Sequence, residues 1–418
     1  MGVIIINIRF RSRNNNWLIR TFLSLSNPDF RKLWIGLFLS MAGFNMQMVI
    51  RGVLVYDLTN DPIITGFVGM GFAPSLLVVS LFGGIMSDLM DRRLIIQISQ
   101  GVNAILAGIV ALLIFMDMIH WSHLFIVAVF QGAGFALQLP ARQAAIPSLV
   151  GQSRITNAIA LNALAMSITT LAAPGIAGFL YEWIKPAGTY ICVMALMTLA
   201  VIFTSRVRPL KPPENQTRVS MIRNIGDGFN YILKTKLLRL LIIHMIILAL
   251  LSMPFRMLIQ VFAKDVYGSD PSDVGLLLAA AGLGGLFGSL FIAGLSKGNS
   301  RGLVFLLSGV FAGIAMVLSS ALPFYFVGIF ALILTGLAES GRWALGQALM
   351  MEISDDVFKA RVMSFIMMSY GLMPIGMLPM GYAIEKFGSQ IAVGIFGVIL
   401  LVFSVIYLLF VQSLRKFR

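Results

Sequence analysis

Twelve apolar stretches run along this chain, and nearly all of its charged residues fall between them. A hydrocarbon layer about 30 Å thick needs roughly 20 apolar residues for each helical crossing. Backbone polar groups in that layer must be satisfied within the segment, so the crossings are expected to be helices. The expected spans are 33–56, 63–86, 94–116, 121–142, 156–181, 187–205, 239–262, 274–296, 301–321, 323–349, 360–383 and 389–411. Only 11% of the 418 residues are charged and 58% are hydrophobic. A water-soluble fold of this length cannot cover so much apolar surface. The expected class is an all-α membrane protein with twelve transmembrane helices.

The net charge of +14 suggests nucleic acid until its placement is read. Of 31 Lys and Arg, 24 lie in the N-terminus, the C-terminus and the even-numbered loops. The odd-numbered loops hold three, Lys185, Lys264 and Lys386, and the other four are arginines within spans. This bias predicts a multi-pass protein of the cell inner or plasma membrane with both termini cytoplasmic. The basic surplus then faces anionic headgroups, so the expected partner is the bilayer, with no nucleic acid. A single cysteine, Cys192, rules out a disulfide framework. Near the N-terminus, Gly2–Ile8 is apolar and is followed by Arg9, Arg11 and Arg13. That order is the reverse of a secretory signal, so residues 1–32 are expected to be a cytoplasmic lead-in. Asn27, Pro28 and Asp29 read as the start of the first helix.

The longest polar stretch, Ser205–Arg239, contains Pro209, Pro212 and Pro213 and eight basic residues. It predicts a linker, 206–238, between six-helix bundles at 33–205 and 239–411, with a short tail at 412–418. Within it, Met221–Leu233 has the pattern of a surface amphipathic helix. The halves also repeat a phrase: "VYDLTNDPIITG" (55–66) follows the first span and "AKDVYGSDPSDVG" (263–275) the seventh. Asp57 and Asp265 read here as turn residues of outer loops. Two six-span halves in parallel repeat are an architecture of secondary transporters, with the substrate site between the halves.

Span two ends in "GGIMSDLMDRRLII" (83–96). Gly84, Asp88, Arg92 and Arg93 match a loop signature, and here the chain resembles the major facilitator superfamily. Leu89 stands where a basic residue is usual, and Asp91 where glycine is usual. The resemblance implies two pseudo-symmetric six-helix bundles and a gate at this loop. Gly84 permits close helix approach, and Asp88 can meet the N-terminus of span eleven, with Arg361 as countercharge. Topological anchoring of the loop is the alternative role for these charges. The match continues through "NPDFRKLW" (27–34), "LPARQAAIPSLV" (139–150), "NAIALNALA" (157–165) and "VMSFIMMSYGLMPIG" (362–376). These segments are similar to the branch of enterobactin exporters and multidrug efflux proteins. In span five, "AAPGIAGF" (172–179) resembles the antiporter signature at Pro174, Gly175 and Gly178, with Ala173 replacing a glycine. That implies an exporter-type hinge. In span four, Ala128 stands where the family usually carries an arginine tied to proton coupling.

Four arginines lie within spans: Arg51, Arg142, Arg256 and Arg342, in spans one, four, seven and ten. In the family these helices line the central cavity. Each arginine shares a face with polar neighbours: Ser40 and Gln47 with Arg51, Gln131 and Gln138 with Arg142, Ser252 and Gln260 with Arg256, and Thr335 and Glu339 with Arg342. A charge facing lipid at mid-depth costs roughly 2.5–3.5 kcal/mol, so such groups tend to face an interior. Snorkelling from a helix end is the competing reading, strongest for Arg142 and Arg51 and weakest for Arg256 and Arg342. Glu339, the lone acid deep within a span, is three residues from Arg342 and can pair with it locally. Four arginines against one glutamate favour an anionic or zwitterionic amphipathic cargo.

No phosphate-binding GxxxxGK[ST] loop, HExxH or GxSxG occurs in the chain. His120 and His123 read as surface residues, and His244 as a helix residue. The sequence thus predicts a non-enzyme without cofactor or metal, with a proton or ion gradient as candidate energy source, and a monomer. Its expected work is export of a siderophore-like or drug-like small molecule by alternating access. An importer, a lysophospholipid flippase and a transporter-like sensor are the alternatives.

Overall fold

A computed structural model describes residues 22–151, 154–210, 229–293, 301–355, 358, 362 and 373–415. Eleven helices among the described residues are long and apolar enough to cross a membrane. Six precede the linker: Pro28–Thr59, Pro62–Leu89 with a break at Gly71, Arg92–Phe115, Trp121–Val150, Ile155–Trp183 and Lys185–Ser205. After it come Lys236–Met257, Pro271–Ala293, Arg301–Ala321, Tyr325–Ile353 and Ser389–Phe410. Span eleven is described only from Met373 onward, including the helix Met377–Phe387. Residues 211–228 of the linker lie outside the described residues.

Local chemistry sets the helix starts. Asn27 caps the first helix, its side chain accepting from the Asp29 and Phe30 amides at 3.0 and 3.1 Å, with Pro28 as the first helical residue. Asp61 caps the second in the same way, again before a proline. His120 and His123 form a reciprocal cap on the fourth, where the His123 ring nitrogen meets the His120 amide at 3.1 Å. The first helix begins at Pro28, at the start that Asn27, Pro28 and Asp29 mark, and runs on into the span expected from 33. The fourth continues to Val150 rather than 142, through Pro140 and Pro147. Arg142 therefore lies two turns inside its helix and not at its end.

The helices run alternately between two ends of the bundle, the one nearer the chain termini and the far end. The apolar core is divided unevenly between them. From mid-depth to the far end, one cluster joins both halves, with Ile50 and Val53 beside Phe255, Phe262 and Met380. At the termini end, among the described residues, the halves have separate clusters. Phe30, Ile96 and Leu161 belong to the first, and Leu238, Phe305 and Leu349 to the second.

Backbone contact tightens the joint. A side chain at Gly275 would strike the Pro174 carbonyl and approach the Gly175 Cα to 3.1 Å. One at Gly178 would come within 2.9 Å of the Ser272 Cα, and one at Gly282 within 2.8 Å of the Leu171 Cα. Spans five and eight thus pack backbone to backbone, which only glycine allows. Pro174, Gly175 and Gly178 all lie on this seam.

Candidate substrate cavity

The first half builds its polar core from spans one and four. Arg51 Nη1 donates to Gln131 Oε1 at 2.5 Å, and Gln131 Nε2 donates to Gln47 Oε1 at 3.1 Å. Nearer the termini end, Arg142 Nη2 reaches Ser40 Oγ at 3.4 Å. Both arginines are 5% exposed, so neither snorkels. Neither has a carboxylate within salt-bridge distance among the described residues. Arg142 Nε and Gln47 Nε2 are buried without a hydrogen-bond partner. Buried cationic groups held only by amides and a hydroxyl remain uncompensated, and they favour an anion or water beside them.

The second half is arranged differently. Arg256 Nη1 meets Glu339 Oε2 at 2.5 Å, across spans seven and ten. The local Glu339–Arg342 pair expected from spacing gives way to this inter-helix pair. A π-turn, Gly341–Leu345, interrupts the helix between the two residues' usual registers and carries Arg342. Such turns recur at functional sites. Glu339 and Arg342 still line one small recess, with Ser252. Glu339 keeps one oxygen, Oε1, without a hydrogen-bond partner.

Two expected cavity residues are engaged elsewhere. Thr335 Oγ1 donates to its own helix at Ala331 O, 2.9 Å away. Gln260 donates to Met257 O at 2.9 Å and packs against Gly52 of span one at the joint between the halves. Gln138 lines a recess in the first half together with Ser40, Gln100 and Asn103. Gln100 and Asn103, on span three, were missed by a reading centred on spans one, four, seven and ten. Their signal was present as a polar stripe, Ser99, Gln100 and Asn103, in an otherwise apolar helix.

At the far end the two repeated phrases meet. Lys264 Nζ donates to Asp57 Oδ1 at 2.9 Å, and Tyr181 donates to Asp57 Oδ2 at 3.0 Å. The Tyr56 hydroxyl donates to Asp265 Oδ1 at 2.5 Å, and the Ser389 hydroxyl to Asp265 Oδ2. Lys264 also lies 5.1 Å from the centre of the Tyr56 ring. Asp57 and Asp265 are therefore not simple turn residues. They form a latch between halves, because each half ends its first helix in the same acidic phrase and pseudo-symmetry brings the two ends together.

The loop after span two is tied to its own half. Asp91 caps the third span, accepting from the Arg93 amide and the Leu210 amide, each at 2.9 Å. Arg92 donates to Ala144 O at 3.0 Å, and Arg93 to Val207 O at 2.8 Å. The carbonyls at the close of span six suit Arg93, which faces the negative end of that helix's dipole, while Arg92 meets span four. The side chains of Gly84 and Asp88, and all of Arg361, lie outside the described residues.

A bundle of this topology, with buried charge inside each half, matches the family of transmembrane secretion effectors over residues 19–417. The chain belongs to this family. It has the major facilitator fold. Among curated relatives of this family member, the enterobactin exporter EntS of Shigella boydii serotype 4 (strain Sb227) is 25% identical over 331 residues, 77% of this chain and 76% of that protein. The same exporter from Escherichia coli O1:K1 / APEC shows equal identity and coverage. Among solved structures, a POT family transporter in complex with 5-aminolevulinic acid superposes with a TM-score of 0.77 at 13% identity, covering 93% of this chain and 97% of that one. The nucleoside transporter NupG gives 0.76 at 16% identity, covering 93% and 99%. These two likenesses concern the fold alone.

Proposed function

We propose that this chain is a secondary active exporter of anionic or zwitterionic amphipathic small molecules, working by alternating access. The observation that carries the cargo class is the pair of buried arginines, Arg51 and Arg142, with no carboxylate beside them among the described residues. The observation that supports alternating access is the uneven joint between the halves, whose described residues share one apolar cluster at the far end and form separate clusters at the termini end. Export is supported by membership in the secretion effector family and by likeness to enterobactin exporters. We take the termini to be cytoplasmic from the charge bias. On that reading the cavity opens to the cytoplasm, and the Asp57–Lys264 and Tyr56–Asp265 contacts close the outer side. A siderophore-like anion fits the charge, although chemistry rather than family must fix the cargo. The 25 methionines of the chain suit varied apolar shapes.

In the reverse state the cytoplasmic side must close. Gly84, Asp88 and Arg361 are the proposed gate there, on the strength of their sequence positions. Asp88→Asn is expected to leave membrane insertion intact and to cut transport strongly. Unchanged transport at matched expression rejects that role. The function itself is tested by efflux of a paired anionic and cationic dye set from cells with and without the protein. Faster loss of the anion is expected, and a wild type that moves only the cation overturns the cargo class.

A further inference from the structure

In the first half, a recess of about 10 Å³ lies between spans one, three, four and six. That is about the space one water molecule needs. Its polar wall is Ser40, Gln100, Asn103, Gln131 and Gln138, all at least nine-tenths buried. Three polar atoms of this wall have no hydrogen-bond partner: the acceptors Gln100 Oε1 and Asn103 Oδ1, and the donor Gln138 Nε2. The opposite wall is apolar, with Phe44 and Phe135 stacked at 5.2 Å. Leaving a buried polar group unsatisfied is destabilising, so three around one void mark a place meant to be filled.

The mixture of partners specifies what fills it. Two open acceptors and one open donor match a group that both donates and accepts. The apolar wall and the single-water size exclude a bulky ion. Arg142 stands at the same hydroxyl, Ser40 Oγ, at 3.4 Å, so the recess adjoins the cationic site. We propose that this recess is a second cargo subsite, which takes a hydroxyl group of an anionic molecule whose negative charge is held by Arg51 or Arg142. The proposal rests on the anion-export reading and adds a specificity rule to it: at equal charge, hydroxylated cargo is preferred. Water occupies the recess between cargo molecules, and the hydroxyl replaces its hydrogen bonds.

The test uses two probes of fixed and equal charge, naphthalene-2-sulfonate and 6-hydroxynaphthalene-2-sulfonate, with purified full-length protein in detergent. Binding of each is measured for the wild type, Gln100→Leu and Asn103→Leu, and each melting temperature is recorded. The wild type is expected to bind the hydroxylated probe at least about threefold more tightly. Both variants should lose that preference while keeping wild-type affinity for the plain sulfonate. Their melting temperatures should hold or rise, because an unpartnered buried oxygen has been removed. If the wild type binds both probes equally, the recess holds ordered water only and the subsite is overturned, while anion recognition stands. A preference retained in both variants also overturns the subsite. Binding of neither probe overturns the subsite and counts against the anion reading beneath it.

Discussion

In the first half of the molecule Arg51 and Arg142 are buried among amides and a hydroxyl, whereas in the second half Arg256 is met by the carboxylate of Glu339. Sequence position makes these sites look equivalent, since each arginine sits in a cavity-lining helix of its own repeat. The partners make them different. A cation beside neutral dipoles keeps most of its field for an incoming anion. A cation already paired offers little until the pair is broken. On the proposed reading, charge recognition therefore falls to the first half. The second half holds a pair, Arg256–Glu339, that on this reading an anion would have to compete with.

This contrast can be broken most severely by reversing charge. Arg51→Glu and Arg142→Glu should each lower anion efflux by tenfold to a hundredfold, since a charge-assisted bond of about 1.5–3 kcal/mol is lost and repulsion added. Efflux rates at matched expression check this. Near-normal anion efflux in both variants would mean that the unpaired arginines do not face the cargo.

A smaller effect sharpens the other side of the contrast. Arg256→Met alone leaves a half-buried carboxylate without its cation and should lower the melting temperature in detergent. The double variant Arg256→Met with Glu339→Leu should recover most of that loss, because removing both members of an ion pair is often close to neutral. Equal loss in the single and double variants would show that the arginine contributes by packing and not by its charge.

The smallest expected effect concerns the latch that joins the halves. Asp57 and Lys264 are partly exposed, and such pairs contribute about 1 kcal/mol or less. Asp57→Asn should shift the balance away from the far-end-closed state by a few fold. Distances between spin labels placed on the two halves at that end report the shift. The swap Asp57→Lys with Lys264→Asp should restore closure in part. An unchanged distance distribution in Asp57→Asn would remove the pair from the gate.

The fold was legible because hydrocarbon imposes a strong rule: long apolar runs, polar breaks and a basic bias can be read residue by residue. Caps such as Asn27–Pro28 were legible for the same local reason. The cavity was legible as a set of polar faces but not as a set of partners. Glu339 was placed with Arg342 because an undisturbed helix makes i and i+3 neighbours. The π-turn at Gly341–Leu345 changes that register, and no spacing rule reveals it. Asp57 and Asp265 looked like turn residues because turn chemistry is local, whereas the contact between the two phrases comes from the pseudo-symmetric packing of the halves. Gln100 escaped notice because the family's cavity is ascribed to other helices. Asp91, which departs from the usual glycine of its loop, has a local capping role and a second, non-local partner in the Leu210 amide that no spacing reveals.

The central claim is that negative charge is read by the unpaired arginines of the first half. Equilibrium binding of an anionic fluorescent probe to the purified protein tests it most directly, with Arg51→Gln, Arg142→Gln and Arg256→Gln compared side by side. The account predicts that one or both first-half variants bind about tenfold or more weakly, while Arg256→Gln stays within about threefold of the wild type. Wild-type affinity in both Arg51→Gln and Arg142→Gln, with the loss confined to Arg256→Gln, would contradict it.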